Sequence, residues 1–112
     1  MKRVVIIGAG GLAREVADIF AACNQVKQEY QIAGFIDEDP ASHGKELNGF
    51  PVLGDLTWFD GIDRTEVWAI TGIGNPASRR NVLGKAQERG LQFCNVIHPT
   101  AVVTPFVSYG VG

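Results

Sequence analysis

Two glycines and an alanine near the amino terminus, spaced Gly8-x-Gly10-x-x-Ala13 with a further glycine at Gly11, are the residues that point most directly to chemistry. The apolar run Val4 to Ile7 leads into them without polar interruption, which reads as a buried parallel strand turning sharply into a helix. In such a turn the first glycine permits the tight bend and the second lets the backbone approach a phosphate. A small third residue lets helix and strand pack closely. Amides at the start of the helix then face the bound anion. The same glycines also suit a turn that only packs helix on strand, and the motif alone leaves both readings open.

Two further features join this one. Gly72-Ile73-Gly74-Asn75-Pro76 follows another apolar run, with Asn75 placed to cap a helix and Pro76 to occupy its first position. Asp37 ends the run Gln31 to Asp37, and an acid at the tip of a second strand can accept hydrogen bonds from ribose hydroxyls. It lies 27 residues after Gly10, farther than the usual spacing of about 20, with the polar turn Gln25 to Tyr30 absorbing the difference. Glu38-Asp39-Pro40 follows at once, so the alternative is an acid that begins a surface turn.

The elements that must hold these residues follow from periodicity. Leu12, Val16, Ile19, Phe20 and Cys23 recur at helical spacing, which predicts a helix from Gly11 to Asn24 with that face on a sheet. Residues 38–50 carry turn formers and read as a surface loop with a solvated His43. Pro51 to Gly54 is a short third strand, and Asp55 caps a brief helix through Asp60 that packs Trp58 and Phe59. Glu66 to Thr71 is the fourth strand. The helix from Pro76 turns Ala77, Val82, Leu83 and Ala86 to the core and stops at Gly90. Gly84 inside it costs roughly 1 kcal/mol relative to alanine, which implies close packing against a neighbour. A fifth strand covers Phe93 to Ile97.

Right-handed crossovers arrange these strands as a parallel sheet of order 3-2-1-4-5, a small Rossmann-like α/β fold. The first and fourth strands are neighbours in that order. The turns Gly8 to Gly11 and Gly72 to Asn75 therefore face each other across a crevice beyond the strand ends, where such sheets bind ligands.

Composition excludes several classes. At 112 residues the chain supports one domain and is short for a complete dinucleotide-binding enzyme. With 46% apolar and 20% charged residues it is an ordinary globular chain. A net charge of −2 with scattered basic residues leaves no footprint for nucleic acid or an anionic membrane. No apolar run approaches the roughly 18 residues of a membrane span, and Met1-Lys2-Arg3 leads straight into a strand, so the expected location is cytoplasmic. Cys23 and Cys94 read as two reduced structural thiols, and no residues show metal-ligand spacing.

From Ile97 the period changes to six: Ile97, Val103 and Tyr109 form one series, Asn95, Ala101 and Val107 another. That is the signature of a parallel β-helix, which needs at least ~3 stacked units to bury its apolar face. The sequence is expected to comprise a nucleotide-binding domain over 1–97 and the incomplete start of a hexapeptide β-helix over 98–112.

Taken together, Lys2 to Gly11, Gly34-Phe35-Ile36-Asp37-Glu38-Asp39-Pro40, Val52-Leu53-Gly54, Ile73-Gly74-Asn75 with Arg79-Arg80, and Val96-Ile97-His98-Pro99-Thr100-Ala101 resemble the N-terminal half of the NeuD/PglD-type sugar acetyltransferases. The resemblance implies a small Rossmann-like domain that binds a nucleotide-linked amino sugar or sialic acid. It also implies a left-handed β-helix that forms homotrimers, binds acetyl-CoA between subunits and supplies a catalytic histidine. By the same resemblance Gly8, Gly10, Gly11, Leu12, Gly72, Ile73, Gly74, Asn75 and Arg79 line the site for a UDP-sugar, with Asp37 near the uridine or ribose. Leu12 stands where many members have histidine. The catalytic histidine belongs to a later coil, so no residue here is assigned as catalytic; His98 reads as a structural corner. The leading expectation is the substrate-binding domain of an acetyl-CoA-dependent sugar N- or O-acetyltransferase. An NAD(P)-binding oxidoreductase fragment and a non-catalytic nucleotide-binding module are the alternatives.

Overall fold

A computed structural model describes residues 2–94. Its elements are β1 (Lys2–Ile7), α1 (Gly11–Val26), β2 (Tyr30–Ile36), β3 (Glu46–Leu47), β4 (Phe50–Gly54), β5 (Trp68–Thr71) and α2 (Pro76–Glu88), with short 3-10 turns at Pro40–Ser42 and Leu56–Gly61. The sheet order is β3-β4-β2-β1-β5. Parallel pairing joins β1 to β2 and β5, and β2 to β4, while β3 is antiparallel to β4. The four central parallel strands thus have the predicted order of a Rossmann-like α/β fold.

One edge differs from expectation. On one side a two-residue strand joins the sheet through the turn Asn48-Gly49, where φ is +51° and +84°. Positive φ at both central residues is the hairpin geometry that Asn-Gly favours. Residues 38–50 are therefore partly a hairpin rather than a plain loop. On the other side, the described start of the predicted fifth strand pairs in parallel with β5 through a bridge from Phe93 to Ala69. It is held by the Ala69 N–H donating to the Gln92 carbonyl at 2.8 Å and the Cys94 N–H donating to the Ala69 carbonyl at 2.9 Å. Asn95 to Ile97, His98, the six-residue period and the expected β-helix start lie outside the described residues.

The run Val4 to Ile7 lacks alternation because both of its faces are covered. Val4 and Ile6 join Ala13, Val16, Ala17 and Phe20 of α1, whereas Val5 and Ile7 join Leu56, Phe59, Val82 and Ala86 on the opposite side. The sheet is sandwiched between two small cores, each anchored by fully buried phenylalanines such as Phe20 and Phe59. Burying each such side chain stabilises the fold by about 1.5–3 kcal/mol.

The helices depart from the predicted faces at three positions. Leu12 is 41% exposed, and the small residues Ala13 and Ala17, which allow a close approach, are buried beside the predicted Val16 and Phe20. Ala77 is exposed, so only Val82 and Ala86 of α2 are buried. Gly84 has open space where a Cβ would stand, so it does not mark a close contact. By contrast Gly34, with φ +155°, occupies a bulge at which β1 pairing skips from Ile32 to Gly34. A Cβ there would overlap the Pro51 carbonyl oxygen and lie 2.9 Å from Leu53 Cγ.

These two glycines give opposite expectations in urea unfolding. Gly84→Ala raises stability by about 0.5–1 kcal/mol, since it removes a helix-interior glycine without a clash. Gly34→Ala lowers stability by about 2 kcal/mol or more through backbone strain and overpacking. A destabilised Gly84→Ala variant would contradict the open space seen at that position.

Candidate functional site

The pairing of β1 continues beyond the strand ends and sets the two glycine turns side by side. The Gly8 N–H donates to the Ile36 carbonyl at 2.6 Å, and the Gly72 N–H donates to the Ile7 carbonyl at 2.8 Å. Gly8 has φ +127°, and a Cβ on it would lie 2.8 Å from the Gly72 oxygen. A Cβ on Gly72 would lie 2.5 Å from the Ala13 Cα and 2.9 Å from its Cβ. Gly8, Gly72 and the small third residue of the glycine motif are thus packed backbone to backbone.

That contact fixes the start of α1. Its N-cap is Gly10, which has no side chain to accept from the helix amides, and its first turn contains no acid. The first intrahelical bond is the Arg14 N–H donating to the Gly10 carbonyl at 3.1 Å. The amides of Gly11, Leu12 and Ala13 therefore have neither an intrahelical acceptor nor a side-chain cap, and they sit at the positive end of the helix dipole. At the start of α2 the opposite holds. Asn75 accepts from the Ser78 N–H at 3.0 Å, and Pro76 fills the first position, as predicted.

A cleft of about 610 Å³ opens over this arrangement. Of the residues predicted for a site, Gly8, Gly10, Gly11, Leu12, Asp37, Gly72, Ile73 and Gly74 line it. Asn75 and Arg79 do not: Asn75 is occupied as the helix cap, and Arg79 is exposed elsewhere on α2. The lining also includes Ile7, Ala9, Ile36, Glu38, Ser78, Asn81, Val82 and Lys85. The α2 residues were legible as a helical stripe, but polar positions there read as a solvent face. Leu12 stands close to the second turn; its Cδ2 would be 3.9 Å from a Cβ on Gly74.

Asp37 begins a turn and also lines the cleft. Its Oδ2 accepts from the Ser42 hydroxyl at 2.7 Å, its backbone carbonyl pairs with the His43 ring Nε2 at 2.7 Å, and its N–H donates to the Gly54 carbonyl at 2.9 Å. The acid does begin a turn, and the turn holds it against the cleft. His43 is accordingly half-buried and hydrogen-bonded rather than simply solvated.

The charged residues of the cleft are Asp37, Glu38 and Lys85. The shifted carboxylates lie outside its lining: the Thr57 hydroxyl and amide hold Asp55 below the usual carboxylate range, and Thr65 does the same for Asp63. Burial pushes the Cys94 thiol up. Among the described residues, no cluster of three or more His, Cys, Asp or Glu could hold a metal ion. No described helix is long and apolar enough to cross a membrane. The lining is suited to bind and orient an anionic ligand, with amides for the anion and apolar walls for an attached ring.

A parallel sheet with paired glycine turns at its carboxyl edge, opening on an uncapped helix, defines a Rossmann-like domain. More particularly, the chain belongs to the PglD N-terminal domain family, which matches residues 3–86. It is similar to the acetyltransferase domain of PglB from Neisseria gonorrhoeae FA1090, solved in complex with acetyl coenzyme A (28% identity, TM-score 0.73, 93% of this chain and 47% of that chain). It is also similar to a variant of perosamine N-acetyltransferase from Caulobacter crescentus in complex with CoA and GDP-perosamine (32% identity, TM-score 0.76, 94% of this chain and 47% of that chain). The chain thus spans about half the length of both. Likeness to UDP-D-quinovosamine 4-dehydrogenase from Vibrio fischeri is one of fold alone, at 16% identity and TM-score 0.64 over 82% of this chain and 75% of that chain. No match is found among curated protein sequences.

The contact between Gly72 and Ala13 provides the direct test of this geometry. Gly72→Ala is expected to destabilise the domain by about 2 kcal/mol or more, because backbone atoms of α1 cannot give way as a flexible side chain does. Urea unfolding measures the loss, and a change under 0.5 kcal/mol would show that the turns are not in the contact described.

Proposed function

We propose that this chain is the substrate-binding part of an acetyl-CoA-dependent acetyltransferase acting on a nucleotide-linked amino sugar or sialic acid. The observation that carries the reading is the cleft itself: paired glycine turns over an uncapped helix start. Family membership and the two transferases, one holding acetyl coenzyme A and the other CoA with GDP-perosamine, support it.

In this reading the amides of Gly11 and Leu12 take the diphosphate, and the helix dipole stabilises its charge. Asp37, already oriented by Ser42, accepts from the ribose hydroxyls. The sugar then lies toward Leu12 and Gly74 at the mouth of the cleft. Asn75 acts by holding the second turn, and Arg79 lies outside the cleft lining. Acyl transfer from a thioester to an amine or hydroxyl needs a positioned base and donors for the developing oxyanion. Those groups, the acetyl-CoA site and a homotrimeric β-helix belong to a following domain, and the protein works in the cytoplasm on a UDP-sugar or a related substrate. The division of labour is that this half binds and orients while the other half reacts.

Calorimetric titration of the chain with UDP, GDP and a UDP-sugar tests the reading. Saturable binding is expected, with amide chemical shifts moving at Gly10, Gly11 and Gly74. NADH serves as the contrast. Preferential NADH binding would move the assignment to an oxidoreductase fragment, and no binding by any nucleotide would leave a packing turn.

A further inference from the structure

Asp37 lines the cleft, but the groups that hold it do not: Ser42, His43 and Gly54 are all outside the lining. The Asp37 N–H donates to the Gly54 carbonyl at 2.9 Å, and the Asp37 carbonyl pairs with the His43 ring Nε2 at 2.7 Å. A carbonyl only accepts, so Nε2 is the nitrogen that carries the proton. These two bonds fix the peptide groups on either side of the Asp37 Cα. The Ser42 hydroxyl then fixes the side chain, donating to Oδ2 at 2.7 Å. No partner of Oδ1 is seen among the described residues, which leaves that oxygen to a ligand.

Ser42 is itself anchored by backbone bonds that do not involve its hydroxyl. Its N–H donates to the Asp39 carbonyl at 3.1 Å, and its carbonyl accepts from the Lys45 N–H at 3.1 Å. The Val52 N–H donates to the Lys45 carbonyl at 2.7 Å and ties the turn to β4. The turn is therefore closed without the hydroxyl. The Ser42 oxygen also lies 2.8 Å from the Asp39 carbonyl. One proton serves one acceptor well, and the charged oxygen of Asp37 is the stronger of the two.

We propose that Ser42 is a positioning residue that acts through Asp37, holding Oδ2 so that Oδ1 is set to accept a ribose hydroxyl. The inference rests on the nucleotide-sugar reading above. An aspartate without such a partner samples several χ1 wells and a broad χ2, and a ligand that uses it must order it on binding. With Ser42 in place that ordering is complete before the ligand arrives. The effect reaches the ligand only through the carboxylate, since Ser42 has no place in the lining. Contacts to the phosphates, made by the start of α1, are independent of it.

Calorimetry compares UDP and GDP, their 2′,3′-dideoxy analogues and inorganic pyrophosphate on the chain, on Ser42→Ala, Ser42→Thr and Asp37→Ala, and on the double variant Ser42→Ala with Asp37→Ala. The backbone bonds of the turn survive in Ser42→Ala, so its circular dichroism and urea midpoint are expected to match the parent. Ser42→Ala is expected to weaken the ribonucleotides about 3–10-fold, while the dideoxy analogues and pyrophosphate stay within about twofold. Ser42→Thr keeps the hydroxyl and is expected to restore ribonucleotide affinity to within about twofold of the parent. In the Asp37→Ala background the loss of Ser42 is expected to add nothing, the non-additivity of a residue that acts through another. Unchanged ribonucleotide affinity in Ser42→Ala overturns the inference, as does equal weakening of all the ligands, which is what a merely structural role would give. Full additivity in the double variant, or a parent that binds ribonucleotide and dideoxy analogue alike, overturns it too and leaves the proposed function standing. Absence of binding by every nucleotide overturns the proposed function together with the inference.

Discussion

The close approach of Gly72 to Ala13 and Gly8 is the constraint on which the rest of the cleft depends. A side chain at either glycine would drive its Cβ into backbone atoms of the neighbouring turn. Because none is present, the ends of β1 and β5 meet the first turn of α1 directly. The amides that follow Gly10 are consequently held by packing rather than by a side-chain cap. A capping serine or aspartate would have satisfied one of those donors internally. Its absence leaves the donors for a ligand, and the backbone contact holds them in place without one.

A second constraint reaches the same helix from the far edge of the sheet. Asn48, at the tip of the β3-β4 hairpin, accepts from the Arg14 Nε at 3.0 Å. Its amide nitrogen donates to the Arg14 carbonyl at 3.1 Å and to Asp18 Oδ1 at 3.0 Å. These bonds are exposed, so each contributes only about 0.5–1.5 kcal/mol. They nevertheless tie the short edge strand to the helix whose uncapped start lines the cleft. The segment between β2 and that hairpin carries Ser42 and His43, which hold Asp37. Two walls of the cleft are thus linked through one asparagine in a left-handed conformation, φ +51°.

What was legible in the sequence follows the same physics. The uninterrupted run Val4 to Ile7 marked a strand covered on both faces, and Asn75-Pro76 marked a helix start by residue chemistry that needs no tertiary contact. Eight of the ten predicted site residues line the cleft because the topology itself places both turns at one sheet edge. The Asn48-Gly49 signal for a hairpin was present but unaccompanied by alternation, since β3 has only two residues. Leu12 was assigned to the core by its spacing, yet at the first turn of a helix that faces a crevice the same spacing points outward. Gly84 suggested a neighbour that is not there; a glycine records only that no side chain is required. The α2 stripe was missed because polar residues at helical spacing look the same whether they face solvent or a cleft, and only the tertiary arrangement separates the two.

The charges around the cleft limit how it can bind. Asp37 and Glu38 oppose an approaching diphosphate, and Lys85 is the single basic side chain in the lining to offset them. Long-range attraction is therefore weak, in a chain whose own net charge is −2. In the proposed reading, affinity comes from short-range terms, namely amides that meet the phosphates, where the helix dipole acts only within the first turn, and apolar contact with the attached ring. Short-range terms depend on geometry, which is what the Gly72 contact and the Asn48 clamp secure. In the proposed reading, a ligand lacking the ring would lose the apolar contact and keep the repulsion of its phosphates, and one lacking the phosphates would lose the amide contacts.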